Sequence, residues 1–276
     1  MTGLRTQPMD ASFFADRDDT VFAWLGMAGL AVNSRGTVLM VDPLLVAVAR
    51  DDAQYSETGL RLKVPLPIRA EDVPRADVVM FTHAEDDHCG TLTAKTVNDR
   101  LGPAFFAPPP VFERLKDVGI DTDRRVTARD FETQHFGDVY VTVTPALHDH
   151  DATNPWRRGD CVGYLLRTPD GSIWHPGDSR LIDELSAFRD VDVLLWDVTL
   201  DCPAHLCPPG SAAIAKSSGA KALLAYHYGT MEAPEKGGGY ERALESDPDA
   251  SLPFLADIDA PFLRLNPGET RTLPLA

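Results

Sequence analysis

The stretch Phe81–Gly90, FTHAEDDHCG, decides how the rest of the chain is read. It continues an apolar run, ADVVMFTH, whose β-branched residues favour a strand over a helix. Between His83 and His88 lie two histidines and three acids, and the residues able to hold a metal, His83, Glu85, Asp87 and His88, fall at i, i+2, i+4 and i+5. An acidic helix start would explain the acids, but not this order of donors directly after an apolar strand. One letter is unusual. Glu85 stands where a third histidine would make a regular His-x-His-x-Asp-His motif.

Outward from this motif, other apolar runs also close on residues of metal-ligand type. VYVTVTPALH ends at His148, SIWHPGD at Asp178 and ALLAYH at His227. A lone histidine after a strand is commonly a hydrogen-bonded core or surface residue, and an Asp before Ser is commonly a turn or helix cap. In α/β sheets, however, side chains just past the carboxyl ends of strands converge on one crevice. The coincidence of several such strand ends points to a metal site. Helices are expected over TLTAKTVNDRLG and PPVFERLKDVG, each stopped by Gly, and over PGSAAIAKSSG. CVGYLLRT and SIWHPGD should form a hairpin around PDG. Strands come first in hairpins and later alternate with helices, which predicts two sheets with helices outside, a four-layer α/β arrangement. No linker, repeat or low-complexity segment divides residues 1–276, so a single domain is expected. Residues 233–253, APEKGGGYERALESDPDASLP, read as a mobile loop or surface tail.

The net charge of −16, from 42 acids against 26 Lys and Arg, argues against nucleic acid and against anionic membrane as partners. MTGLRTQPMDASFF has no basic region leading into an apolar run, and no apolar stretch approaches bilayer length, so a cytoplasmic location and no membrane partner are expected. Cysteines 89, 161, 202 and 207 fit neither a zinc-knuckle spacing nor a disulfide framework and read as buried or reduced thiols, with Cys89 close to the site.

Taken together, FAWLGMAGLAVNSRGTVLMVDPLL, VPLPIRAEDVPRADVVMFTHAEDDH, PALHD, WHPGDS and LLAYHYGTM resemble the metallo-β-lactamase fold superfamily, and within it the ascorbate-6-phosphate-lactonase-like (UlaG-like) branch of metal-dependent hydrolases. The resemblance spans roughly residues 21 to 232. It implies an αβ/βα sandwich with two divalent metal ions at one edge of the sheets. It also implies that His83, Glu85 and His148 hold the first ion, that Asp87, His88 and His227 hold the second, and that Asp178 bridges them. Asp87 and Asp178 are the candidate catalytic residues. Met27 stands where the family often has Gln or His, so a polar contact to substrate is expected to be missing. A homo-oligomer is left open by the resemblance.

Glu85 bears on the metal. Imidazole suits zinc, whereas carboxylate oxygen suits harder ions, so iron or manganese is favoured over zinc. The His-x-Glu-x-Asp-His variant is similar to that of flavodiiron proteins and of diiron oxygenases on this fold; no flavodoxin-like part is attached, so a complete flavodiiron reductase is not expected. The expected function is a dinuclear metal-dependent hydrolase in which a metal-bridging hydroxide attacks a small-molecule ester, lactone, amide or phosphoester. The alternative is a diiron oxygenase or oxidase acting on a small metabolite with dioxygen through the same ligands. His150 and Asp151 are candidates to support a ligand or face the substrate, His175 to orient a ligand or cap a strand, and Tyr228 to point into the site or the core. Trp156, Arg157 and Arg158 read as an exposed loop or an anion-binding mouth, and His135 and His205 as structural or surface residues.

Overall fold

A computed structural model describes residues 3–149, 156–200, 204–232 and 246–275. Three helices and sixteen strands appear among them. The first sheet is built from β1 (Thr20–Gly26), β2 (Gly29–Ser34), β3 (Thr37–Val41), β6 (Val78–Met80), β7 (Ala104–Ala107), β8 (Arg125–Thr127) and β16 (Thr270–Leu273). Its order is β16-β1-β2-β3-β6-β7-β8. A small ribbon of β4 (Ala47–Arg50) and β5 (Ala53–Ser56) stands apart from it. The second sheet comprises β9 (Thr133–Phe136), β10 (Val139–Pro145), β11 (Val162–Thr168), β12 (Gly171–His175), β13 (Val193–Asp197), β14 (Ala222–Tyr226) and β15 (Phe262–Leu263). These run in the order β15-β14-β13-β12-β11-β10-β9.

Side-chain alternation explains the layering. Along β1, Phe22 and Trp24 point into the core shared with the second sheet, while Val21, Ala23 and Leu25 point to the opposite face. That outer face packs against Ala94 and Val97 of α1 (Thr91–Leu101) and Val111 of α2 (Pro109–Arg114). On the other side, Ile214 and Ala215 of α3 (Cys207–Ser218) join the cluster containing β13 and β14. Every residue of those two strands is buried, as expected for parallel strands covered on both faces. The architecture is the expected four-layer αβ/βα sandwich.

The helix signals are largely borne out. α1 and α3 end at Gly102 and Gly219, both in the left-handed region that glycine adopts at low cost. The helix expected through Gly119 is shorter: α2 stops at Arg114 and a 3₁₀ turn, Lys116–Val118, carries the chain on to Gly119. β11 and β12 form the expected antiparallel hairpin. Of the segment read as a loop or tail, 233–245 lies outside the described residues. Its end is ordered against the core as a 3₁₀ turn, Pro248–Phe254, where Ser251 Oγ accepts a 2.9 Å bond from Trp196 Nε1. Among the cysteines, Cys89 and Cys161 are buried and free, but Cys207 is disulfide-bonded, against the expectation of reduced thiols. No helix among the described residues is long and apolar enough to cross a membrane.

Candidate metal centre

The carboxyl ends of strands from both sheets meet at one edge. β3 delivers Asp42, β6 delivers Thr82 to His88, β10 delivers His148, β12 delivers Asp178 and β14 delivers His227. Two main-chain devices set these ends. Gly177, at φ +68°, turns the chain just before Asp178, and a Cβ there would lie 2.4 Å from the Val162 carbonyl, so only glycine fits. His227 is also left-handed, at φ 65°, and its N–H donates to the Met27 carbonyl at 2.9 Å. Such a conformation is costly for a residue with a Cβ and is held by its surroundings.

The donor atoms lie close together. His88 Nε2 is 3.1 Å from both Asp178 Oδ2 and His227 Nε2. His227 Nε2 is 3.4 Å from Asp178 Oδ2 and 3.5 Å from Asp87 Oδ2. On the other side, Glu85 Oε1 is 3.4 Å from His148 Nε2, and Glu85 Oε2 is 3.7 Å from His83 Nε2. Three groups can each close on an ion: His83 with His148 and Asp178, Asp87 with His88 and His227, and Asp178 with His205 and His227. The second has the members expected of one half; the first has Asp178 in place of Glu85, whose carboxylate lies beside His83 and His148.

Hydrogen bonds around the centre choose the tautomers. Thr82 Oγ1 donates to Asp42 Oδ2 at 2.6 Å, so its oxygen is left to accept from His83 Nδ1 at 3.0 Å. His88 Nδ1 donates to the same Asp42 oxygen at 2.8 Å, and His148 Nδ1 donates to the Ala204 carbonyl at 3.0 Å. In the neutral form of all three rings Nε2 then carries the lone pair toward the centre, as a metal ligand requires.

Electrostatics follow from burial and crowding. Burial opposes the charge on every one of these groups. For His88 it is outweighed by Asp178, Asp87 and Asp42, which push its pKa well up. His148 is pushed up to about 9, burial being overcome by Glu85. Asp178 is held well below the usual carboxylate range, again against burial, by His227 and His88. Glu85 is likewise held low by His148 and His83. His83 goes the other way: burial, and then His88 beside it, lower its pKa and keep it neutral.

These residues fit a metal. Among the described residues, eight buried side-chain polar atoms have no hydrogen-bond partner, and five of them belong to this cluster: His83 Nε2, Asp87 Oδ1, Asp178 Oδ1, His205 Nδ1 and His227 Nδ1. Orphaned buried polar atoms are costly, and their concentration in one place suits a site built around cations.

Other expectations fare unevenly. His175 is tied into the fold, donating from Nε2 to the Ala28 carbonyl and accepting at Nδ1 from the Gly177 N–H, so it anchors the turn before Asp178. Tyr228 stacks on Trp24 with ring centroids 5.0 Å apart, so its ring belongs to the core. His150 and Asp151 lie outside the described residues. Met27 is buried against Leu44 and Met231, and its contribution is its carbonyl, which accepts from Trp24 Nε1 and the His227 N–H. The loop read as an anion-binding mouth is used differently. Trp156 Nε1 donates to Glu85 Oε1 at 2.8 Å, and Arg158 is paired with Glu184. His135 stacks on Tyr140 away from the centre. His205, read as structural or surface, instead lies in the centre beside Asp178. Asp42 was visible as a strand end in TVLMVDP, but only its pairing with Thr82 and His88 gives it a role.

Comparison with known proteins follows this geometry. The family described as "Beta-lactamase superfamily domain" matches residues 40–228, more than half of the chain. The chain therefore belongs to that family, and its class is that of the metal-dependent hydrolases of the metallo-β-lactamase fold. Among curated relatives, a UPF0173 metal-dependent hydrolase of Koribacter versatilis is 26% identical, covering 75% of this chain and 84% of its own length. Another from Nitratidesulfovibrio vulgaris is 25% identical over 92% of this chain and 95% of its own. Among solved structures, Igni18, a metallo hydrolase from Ignicoccus hospitalis, has a TM-score of 0.69 at 18% identity, covering 94% of this chain and all (100%) of its own. CmlA, a diiron β-hydroxylase from Streptomyces venezuelae, has a TM-score of 0.67 at 19% identity, covering 94% of this chain and 55% of its own. Both likenesses are of fold.

Proposed function

We propose that the protein is a dinuclear hydrolase of a small-molecule ester, lactone, amide or phosphoester. The observation that carries this reading is the pair of donor groups, His83/Glu85/His148 and Asp87/His88/His227, meeting at Asp178. The curated relatives named metal-dependent hydrolases support the reaction class. When bound, two divalent ions lower the pKa of a water so that hydroxide is available near neutral pH, and they polarise the bond to be cleaved. The chain's own residues prepare for this. Asp42 and the Ala204 carbonyl fix three imidazoles in the tautomer that binds metal, and Asp178 offers carboxylate oxygens to both halves. No serine or cysteine nucleophile is needed, and the Cys89 thiol is buried in the outer cluster among apolar side chains.

A second reading, a diiron oxygenase or oxidase, is favoured by Glu85. Its carboxylate lies between His83 and His148, where it would shift preference from zinc toward iron or manganese. Metal analysis after anaerobic purification, followed by exposure to dioxygen, separates the two. Two zinc or manganese ions per chain, turnover in a panel of lactones, esters and phosphoesters, and no oxygen uptake uphold the hydrolase. Two irons, an oxidised-iron chromophore and oxygen consumption without hydrolysis replace it with the oxygenase.

A further inference from the structure

We infer that His205 is a metal ligand, an eighth side chain beyond the seven that the motif order supplies. The inference rests on the proposed metal centre but concerns a residue outside its sequence pattern.

His205 lies on the short segment between β13 and α3, in no recognisable motif. Its ring is buried, with only 8% of the residue exposed. Nδ1 faces inward, 3.6 Å from Asp178 Oδ2 and 3.4 Å from Asp197 Oδ2, but forms a well-aligned hydrogen bond with neither. The ring centroid is 4.8 Å from that of His148 and 5.4 Å from that of His227. With Asp178 and His227 it forms a group whose donor atoms all lie within 4.8 Å of one another. Nitrogen and oxygen donors about 2.1 Å from one ion lie roughly 3.0–3.5 Å apart at right or tetrahedral angles. The separations on this side of the centre are 3.4 Å from His227 to Asp178, within that range, and 3.6 Å from His205 to Asp178, just beyond it.

The segment is also held in place. Asp197 accepts from the Cys207 N–H at 3.4 Å, which anchors the chain two residues after His205. The adjacent carbonyl of Ala204 orients His148. One short turn therefore serves both halves of the centre, through a main-chain acceptor on one side and an imidazole on the other. An added nitrogen donor beside Asp178 and His227 raises the coordination available to the second ion. That favours five- or six-coordinate metals over tetrahedral zinc and agrees with what Glu85 does on the first side.

The test uses cobalt(II) as probe on the full chain. Equilibrium binding and visible d–d bands are measured for the parent, for His205→Phe, which keeps the ring volume, and for His205→Asn, which keeps a weaker donor near Nδ1. The expected result is that His205→Phe weakens one cobalt equivalent by at least about tenfold and alters its bands. His205→Asn should fall between this variant and the parent, and metal-free melting should be little changed in both. If both variants take two equivalents with the parent's affinity and bands, the inference is overturned and the two-ion reading stands. If the parent takes one equivalent and His205→Phe loses it, His205 is upheld as a ligand and the two-ion reading fails.

Discussion

On the His88 side of the centre, donors are backed by buried groups that come from the fold itself. Asp42 fixes His88 directly, and His227 is held by a main-chain bond to Met27; the two imidazoles across the centre, His83 and His148, are likewise held by Thr82 and the Ala204 carbonyl, so the contrast lies at Glu85 itself. There the support is of another kind. The Glu85 side chain is 10% exposed and accepts from the indole of Trp156, on a loop. The first arrangement is built into strand ends and fully buried side chains. The second is where a protein can change its metal or its reaction without disturbing the sandwich, since loops tolerate change that strand ends do not.

The largest expected effect removes what both sides share. Asp178→Ala should lose both metals, read by elemental analysis; retention of two would show that the sides are independent. Next, Asp42→Ala should weaken metal binding about 10–100-fold, the usual cost of removing the partner that orients an imidazole ligand, with His88 affected most. An equal loss in Trp156→Phe would erase the distinction between the sides. That variant instead should weaken a single ion by about tenfold, the worth of one hydrogen bond to a charged group, and leave the His88 side unchanged. Glu85→His should raise zinc occupancy relative to iron and manganese; unchanged metal selectivity would remove Glu85 as its determinant.

The smallest effect is in pH. In the metal-free protein His148 titrates at about 9 against an ordinary 6.5. A raised pKa stabilises the fold fully below the ordinary value, and that contribution is lost as pH rises through the folded one. Melting of the metal-free protein should therefore decline between these values, and less so in His148→Gln. Metal affinity should rise over the same window, because the proton must leave before an ion binds.

The motif residues were legible because strand ends and ligand chemistry coincide in the sequence: His83 to His88, His148, Asp178 and His227 each close an apolar run. The layers were legible for the same reason, from alternation and from glycine stops. What could not be read was partnership across sequence distance. Asp42 lies forty-six positions from His88, and its role exists only once β3 and β6 are paired. His205 follows no strand and repeats no spacing, so nothing distinguished it from a surface histidine. For Tyr228 the sequence left site and core both open; with His227 in the left-handed region, its ring turns back onto Trp24 in the core. Trp156 was seen as part of a loop, but the bond that gives it meaning runs to the one irregular letter of the motif.

That bond makes the protein its own optical sensor. Of the four tryptophans, Trp24, Trp174 and Trp196 are fully buried in the core, and Trp156 alone has its indole N–H on a candidate ligand. A paramagnetic ion arriving beside Glu85 should quench the emission of Trp156, and Trp156→Phe checks how much of the signal is its own. Filling of the centre can then be followed by fluorescence in real time, with no label added.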